Sequence, residues 1–147
     1  MNIPEYVTRN EVSRVCAQLG IRDWVNLSDG SVSLEEARVI LSVVGGEARD
    51  VTLENFRDGL QVELEHGVRF PDANITNNHP ALTGRIVLAH LKESLLYYER
   101  IGVAELEGDL LKAVKSEDAE KTRSVYDRLA RARIALHKAE ATNLTDR

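Results

Sequence analysis

Cysteine is all but missing from this chain. Cys16 stands alone, so no disulfide can close within the chain and no cysteine cluster can hold zinc. It falls in an apolar stripe with Val12, Val15 and Leu19. There it is expected as a small buried hydrophobe rather than a nucleophile. Aromatic residues make up only 5%, and period-two alternation is missing almost everywhere, which argues against a sandwich or barrel. No apolar run approaches the ~18 residues of a membrane span. The opening stretch, MNIPEYVTRNEV, lacks the apolar core of a secretion signal. The expectation is a soluble cytoplasmic protein with no membrane partner. Basic residues are in deficit, 19 against 24 acidic, for a net charge of −5. That disfavours a general nucleic-acid binder.

What remains is helix-forming. The 147 residues are 43% hydrophobic and 29% charged, a globular balance with enough chain for a core. The reading is all-α: a compact bundle of five to six helices in a single domain, 1–147. It divides into N-terminal helices (6–67), an Asn-rich loop (68–79), a central helix (80–101) and a C-terminal helical hairpin (103–142). The first helix runs from Thr8 or Asn10 to Leu19 and stops at Gly20. Ser33 and Glu36 form a capping box that opens the second, which ends at Gly45-Gly46. The third follows Thr52, with Leu53, Phe56, Leu60 and Leu64 on one stripe, and ends on Gly67 as an ordinary C-cap. Pro80 suits the first turn of the central helix, which continues to Arg100 until Gly102 kinks or ends it. Ser116 is expected to cap the last helix, about 117–141. There Val125, Leu129, Ala132, Leu136 and Ala139 form a narrow seam suited to packing on the preceding helix.

One stretch imitates a calcium loop. In DGSVSLEE, Asp29, Gly30, Val32, Ser33 and Glu36 fit the second half of an EF-hand. The first and third positions would then be Val25 and Leu27, which offer no side-chain oxygen to a hard cation. A turn followed by a capping box is the better reading.

VELEHG, at 62–67, carries more chemistry. Glu63 shares the apolar face of its helix with Leu60 and Phe56, and His66 projects the same way. The next helix presents His90 and Glu93 at the same spacing but in the reverse order. If the two helices pack antiparallel, His66 comes level with His90 and Glu63 with Glu93. Four ligand-type side chains would then converge within one helical turn, roughly 5 Å. Two histidines and two carboxylates suit a divalent transition metal: zinc, iron or manganese. Glu63, His66, His90 and Glu93 are therefore candidate metal ligands. The same residues also suit a structural polar network or an acid-base or ligand site, since buried Glu-His and Tyr-Glu pairs satisfy one another. Asn and Asp side chains in PDANITNNHP build turns on their own backbone, and such a loop can cover the mouth of a pocket. The last helix carries Lys121, Arg123, Arg128, Arg131, Arg133 and Lys138, interspersed with Glu120, Asp127 and Glu140. That pattern reads as a solvated, salt-bridged face.

Taken together, VELEHG, PDANITNNHP and LTGRIVLAHLKESLLYYERI resemble a family of small proteins of unknown function found in bacteria and in bacterial and giant viruses. Its pattern is ELEHG, an Asn- and Asp-rich loop, then a TGKIALAHL-x-E helix with paired tyrosines. The likeness covers about residues 53–101, with a weaker echo over 19–24. It rests on Glu63, Glu65, His66, Gly67, Asn74, Thr76, Asn77, Pro80, Thr83, Gly84, His90, Glu93, Tyr97 and Tyr98. Asn78 and His79 stand where the pattern has two acids. The helix around 33–44 and the C-terminal hairpin look particular to this chain. The resemblance implies a helical fold and directs attention to the same Glu/His set. It adds Glu65, Asn74, Thr76, Asn77, Tyr97 and Tyr98 as ligand-binding or network residues. Its viral members imply a virion or assembly role.

Two functional expectations follow. The first is a small non-enzymatic helical scaffold or interaction protein, phage-related, that meets a protein partner or its own copy through the C-terminal hairpin. The alternative is a metal- or small-ligand-binding protein that uses Glu63, His66, His90 and Glu93.

Overall fold

The computed structural model describes residues 6–45 and 50–145. Among them are six α-helices, one short 3-10 turn and no strand. The chain forms two compact units, Met1–Leu95 and Leu96–Arg147. No described helix is long and apolar enough to cross a membrane.

The first unit holds α1 (Arg9–Leu19), the 3-10 turn (Trp24–Asn26), α2 (Leu34–Val44), α3 (Leu53–Arg69) and α4 (Pro80–Glu93). Local signals open these helices as expected. Thr8 Oγ1 accepts from the Glu11 N–H at 3.2 Å. Thr52 Oγ1 accepts from the Asn55 N–H at 3.1 Å. Ser33 and Glu36 exchange both bonds of a capping box. Gly20 ends α1 in the left-handed region at φ 69°. Gly45 caps α2, and Gly46, expected beside it, lies outside the described residues. The amphipathic stripes then meet. Val12 and Cys16 of α1, Ile40 of α2, Phe56, Leu60 and Leu64 of α3, and Val87 and Leu91 of α4 are all buried. Burial raises the Cys16 thiol above its ordinary value, in keeping with an inert core thiol. The 3-10 turn was not expected. It drops Trp24, fully buried, into this core. DGSVSLEE forms the plain turn: Asp29 Oδ1 accepts from the Ser31 N–H at 2.8 Å. A Cβ on Gly30 would lie 2.9 Å from the Gln61 carbonyl oxygen, so only glycine lets this turn rest on the backbone of α3.

The second unit is a hairpin of α5 (Tyr97–Lys115) and α6 (Ala119–Thr145). Val125 and Leu129 of the expected seam are buried, as is Ala113 opposite. Two ion pairs cross the hairpin, Arg133–Glu107 at 2.6 Å and Arg100–Glu140 at 2.7 Å. Their reversed order fixes the helices as antiparallel.

Two boundaries differ from the sequence reading. The expected helix over 80–101 is broken: α4 stops at Glu93, Ser94 turns extended, and α5 runs unbroken through Gly102. The Leu95 carbonyl, released from the helical ladder, accepts from Asn55 Nδ2 at 3.4 Å. A partner forty residues away thus sets the break. Ser116 does not cap α6. It ends α5, donating to the Ala113 carbonyl at 2.9 Å. Asp118 is the cap, accepting from the Lys121 N–H at 2.9 Å.

Candidate functional site

The C-terminal half of α3, the loop over 70–79 and the face of α4 bring together part of the set that the sequence singles out: Glu63, His66, Asn74 and Thr76. The loop is built on its asparagines. Asn77 and Asn78 both take positive φ, 49° and 61°, a conformation that asparagine tolerates better than most residues. Asn78 is buried and donates through Nδ2 to the Trp24 carbonyl at 3.4 Å. Asn77 Nδ2 donates to the Val7 carbonyl at 2.6 Å. Asn74 is saturated. Its Nδ2 donates to the Gly67 carbonyl and to Asn78 Oδ1, at 3.2 and 2.8 Å. Its Oδ1 accepts from Thr76 Oγ1 and the Asn78 N–H, both at 3.3 Å.

This explains Gly67, and not as a C-cap. α3 continues to Arg69, and Phe70 closes it by donating from its N–H to the His66 carbonyl at 2.9 Å. A Cβ on Gly67 would collide with Asn78 Oδ1. The glycine is there so that the loop can lie against the helix.

His90 and Glu63 meet across the two helices, Nδ1 to Oε1 at 3.3 Å. Both are largely shielded, with side chains 30% and 19% exposed. The pairs Asn55/Leu95 and Glu63/His90 run in opposite senses, so α3 and α4 pack antiparallel. The register is one helical turn from the one expected: Glu63 is level with His90, not with Glu93. Among the described residues no group of three or more His, Cys, Asp or Glu side chains is placed to hold a metal ion.

Beside this pair opens a cleft of about 230 Å³, lined by Glu63, His66, Gly67, Phe70, Ala73, Asn74, Ile75, Thr76 and Ile86. Glu63, His66, Asn74 and Thr76 are thus brought together. Glu93 is exposed on the last turn of α4. Glu65 lines a different cleft, with Asp29, Gln61 and Arg69. Tyr97 and Tyr98 open α5 in the second unit, their rings edge to face with centroids 5.2 Å apart.

The strongest polar cluster escaped the sequence reading. Glu36 is buried. It accepts from Arg22 Nε at 2.8 Å and Nη2 at 2.9 Å, from Trp24 Nε1 at 3.3 Å, and from the Ser33 N–H and Oγ at 3.0 Å. Burial alone would raise its carboxyl. The hydrogen bonds from Arg22, Ser33 and Trp24 outweigh burial and bring it down to about 2. The capping-box pattern flagged Glu36 but gave no sign of the arginine and tryptophan that complete the cluster.

Fold and site together define a small all-helical protein with a polar cleft beside a helix-packed Glu-His pair. The chain belongs to a family described as protein of unknown function, DUF5661, whose model matches residues 12–107. That span contains α2, expected above to be particular to this chain, whereas the end of α5, the turn and all of α6 lie beyond it. No curated protein and no solved structure matches the chain.

Proposed function

We infer that this is a non-enzymatic interaction protein that self-associates through its C-terminal hairpin. One observation carries the reading: α6 bears two apolar stripes and the hairpin buries only one. Val125 and Leu129 face α5. Tyr126, Ala130, Ile134, His137, Ala141 and Leu144 follow a second run of threes and fours along the same helix. Of these, Tyr126, Ile134 and Leu144 are each more than half exposed. Removing a large apolar side chain from water contributes roughly 1.5–3 kcal/mol. Three from each copy are set against an association cost of about 4–15 kcal/mol. The balance favours a weak, concentration-dependent dimer. The acidic net charge, with Asp127 and Glu140 interspersed among the α6 cations, favours a protein partner over nucleic acid. The viral setting implied by the resemblance makes a particle-assembly role the natural context.

Sedimentation velocity on the full chain, across a wide concentration range, tests this. Wild type is expected to shift toward dimer as concentration rises, and an Ile134→Glu variant with unchanged helical content to remain monomeric. A wild type that stays monomeric throughout, or a variant that dimerises equally, removes the proposal.

A further inference from the structure

We propose that two copies of the chain pair antiparallel along α6, with Leu144 of each seated in a groove at the hairpin turn of the other. The proposal rests on the self-association inferred above and gives it a geometry. The groove has a volume of about 420 Å³ and is lined by Val114, Glu117, Ala119, Thr122, Arg123 and Tyr126. Two ion pairs set the register of the hairpin, Glu107 with Arg133 and Arg100 with Glu140. The same register brings Val114 of α5 level with Tyr126 of α6. Both side chains are more than half exposed. Ala119 and Tyr126 stand seven residues apart and share one face of α6. The second stripe continues that face through Ala130 and Ile134 to Leu144. Groove and stripe are therefore one apolar surface. It has a hollow at the turn and, at its far end, the most exposed of the hairpin's large apolar side chains, Leu144 at 70%.

A surface with a hollow at one end and a knob at the other complements its own copy when the two run antiparallel about a twofold axis. The spacing fits such an axis. Tyr126 and Leu144 are 18 residues apart, roughly 27 Å of helix, and Ile134 stands near the midpoint. An axis at Ile134 packs the two Ile134 side chains together. It also places each Leu144 over the turn of α6 that carries Thr122, Arg123 and Tyr126. Val114 thereby joins Tyr126, Ile134 and Leu144 as a fourth large apolar side chain that each copy withdraws from water. Charge points the same way. Asp127, Arg131 and Lys138 flank the stripe, and no described residue ion-pairs with them. In a parallel pair each would stand beside its own copy, and the hollow would receive no knob. In the antiparallel pair Arg131 comes level with Lys138 of the second copy, and Asp127 lies about one turn away, where its carboxylate offsets both cations.

The test is disulfide trapping in the full chain. Val114→Cys and Leu144→Cys are made separately, one of them isotope-labelled, and wild type, whose Cys16 is buried, is the control. Both positions are exposed, so neither variant disturbs the core. Each variant, and an equal mixture, is equilibrated in a glutathione redox buffer at a concentration where sedimentation velocity shows wild-type dimer, and the products are weighed by mass spectrometry. The expected product is a disulfide between the two variants in the mixture, with neither variant joining to itself. Val114→Glu, outside the α6 stripe, should weaken dimerisation at least about tenfold, the worth of one buried apolar side chain. Leu144→Cys joined to itself, with no mixed product, means a parallel pair. That result overturns the proposal and leaves self-association standing. A dimer that traps no disulfide, or a folded Val114→Glu variant that dimerises like wild type, overturns it in the same way. A wild type that is monomeric at every concentration removes both the proposal and the reading beneath it.

Discussion

Glu36→Gln is the sharpest test of what holds the first unit together. The carboxyl lies at about 2 in the folded protein against 4.5 for the ordinary group. At ~1.4 kcal/mol per pH unit this corresponds to roughly 3 kcal/mol of stability. Arg22, its main donor, is half exposed, and screening trims the figure to roughly 2–3 kcal/mol. The direction follows from proton counting. The folded state holds the Glu36 proton more weakly than the unfolded state. The contribution is therefore complete above 4.5 and is lost as the pH falls from there toward about 2. Glutamine imitates the protonated form. At neutral pH the variant should be less stable than wild type by roughly 2–3 kcal/mol, and the gap should close as the solution is acidified through this window. Urea unfolding at a series of pH values measures it. Trp24 serves as a reporter because it is the only tryptophan and donates to Glu36, and helical circular dichroism is the independent probe. A gap that stays constant down to the acid limit, or no gap at neutral pH, would refute the account of a depressed, multiply hydrogen-bonded carboxylate.

Two glycines should respond oppositely to the same substitution. Helix propensity alone favours Ala over Gly by ~1 kcal/mol. A Cβ on Gly102 meets nothing within 4 Å, so Gly102→Ala should raise stability by about 0.5–1 kcal/mol in urea unfolding. Gly67→Ala should instead lower it by roughly 1–3 kcal/mol because the new Cβ strikes Asn78, and a gain there would contradict the close packing of loop on helix. Elemental analysis after growth with added zinc, iron and manganese should find well below one equivalent in wild type and in a His66→Ala/His90→Ala variant alike. Near-stoichiometric metal lost in the variant would instead make the Glu-His pair a ligand set.

Much of this architecture was legible in the sequence because its signals are local. Thr8, Ser33 and Thr52 mark helix starts through contacts that reach only three residues ahead, and Pro80 marks one by its own fixed backbone angle at the first helical position. The apolar stripes through Phe56, Leu60 and Leu64, and through Val125 and Leu129, name the buried faces by periodicity alone. The same periodicity singled out Glu63, His66 and His90. What it could not supply was any distance between residues far apart in the chain. The one-turn offset that pairs Glu63 with His90, the helix break held by Asn55 at Leu95, and the Arg22 and Trp24 donors on Glu36 all depend on how separate helices meet. Gly67 shows the difference most plainly. Followed only along the chain, a glycine near the end of an amphipathic run is a stop. Once the loop folds back, Asn78 occupies the space where a Cβ would stand, and the helix runs on past it.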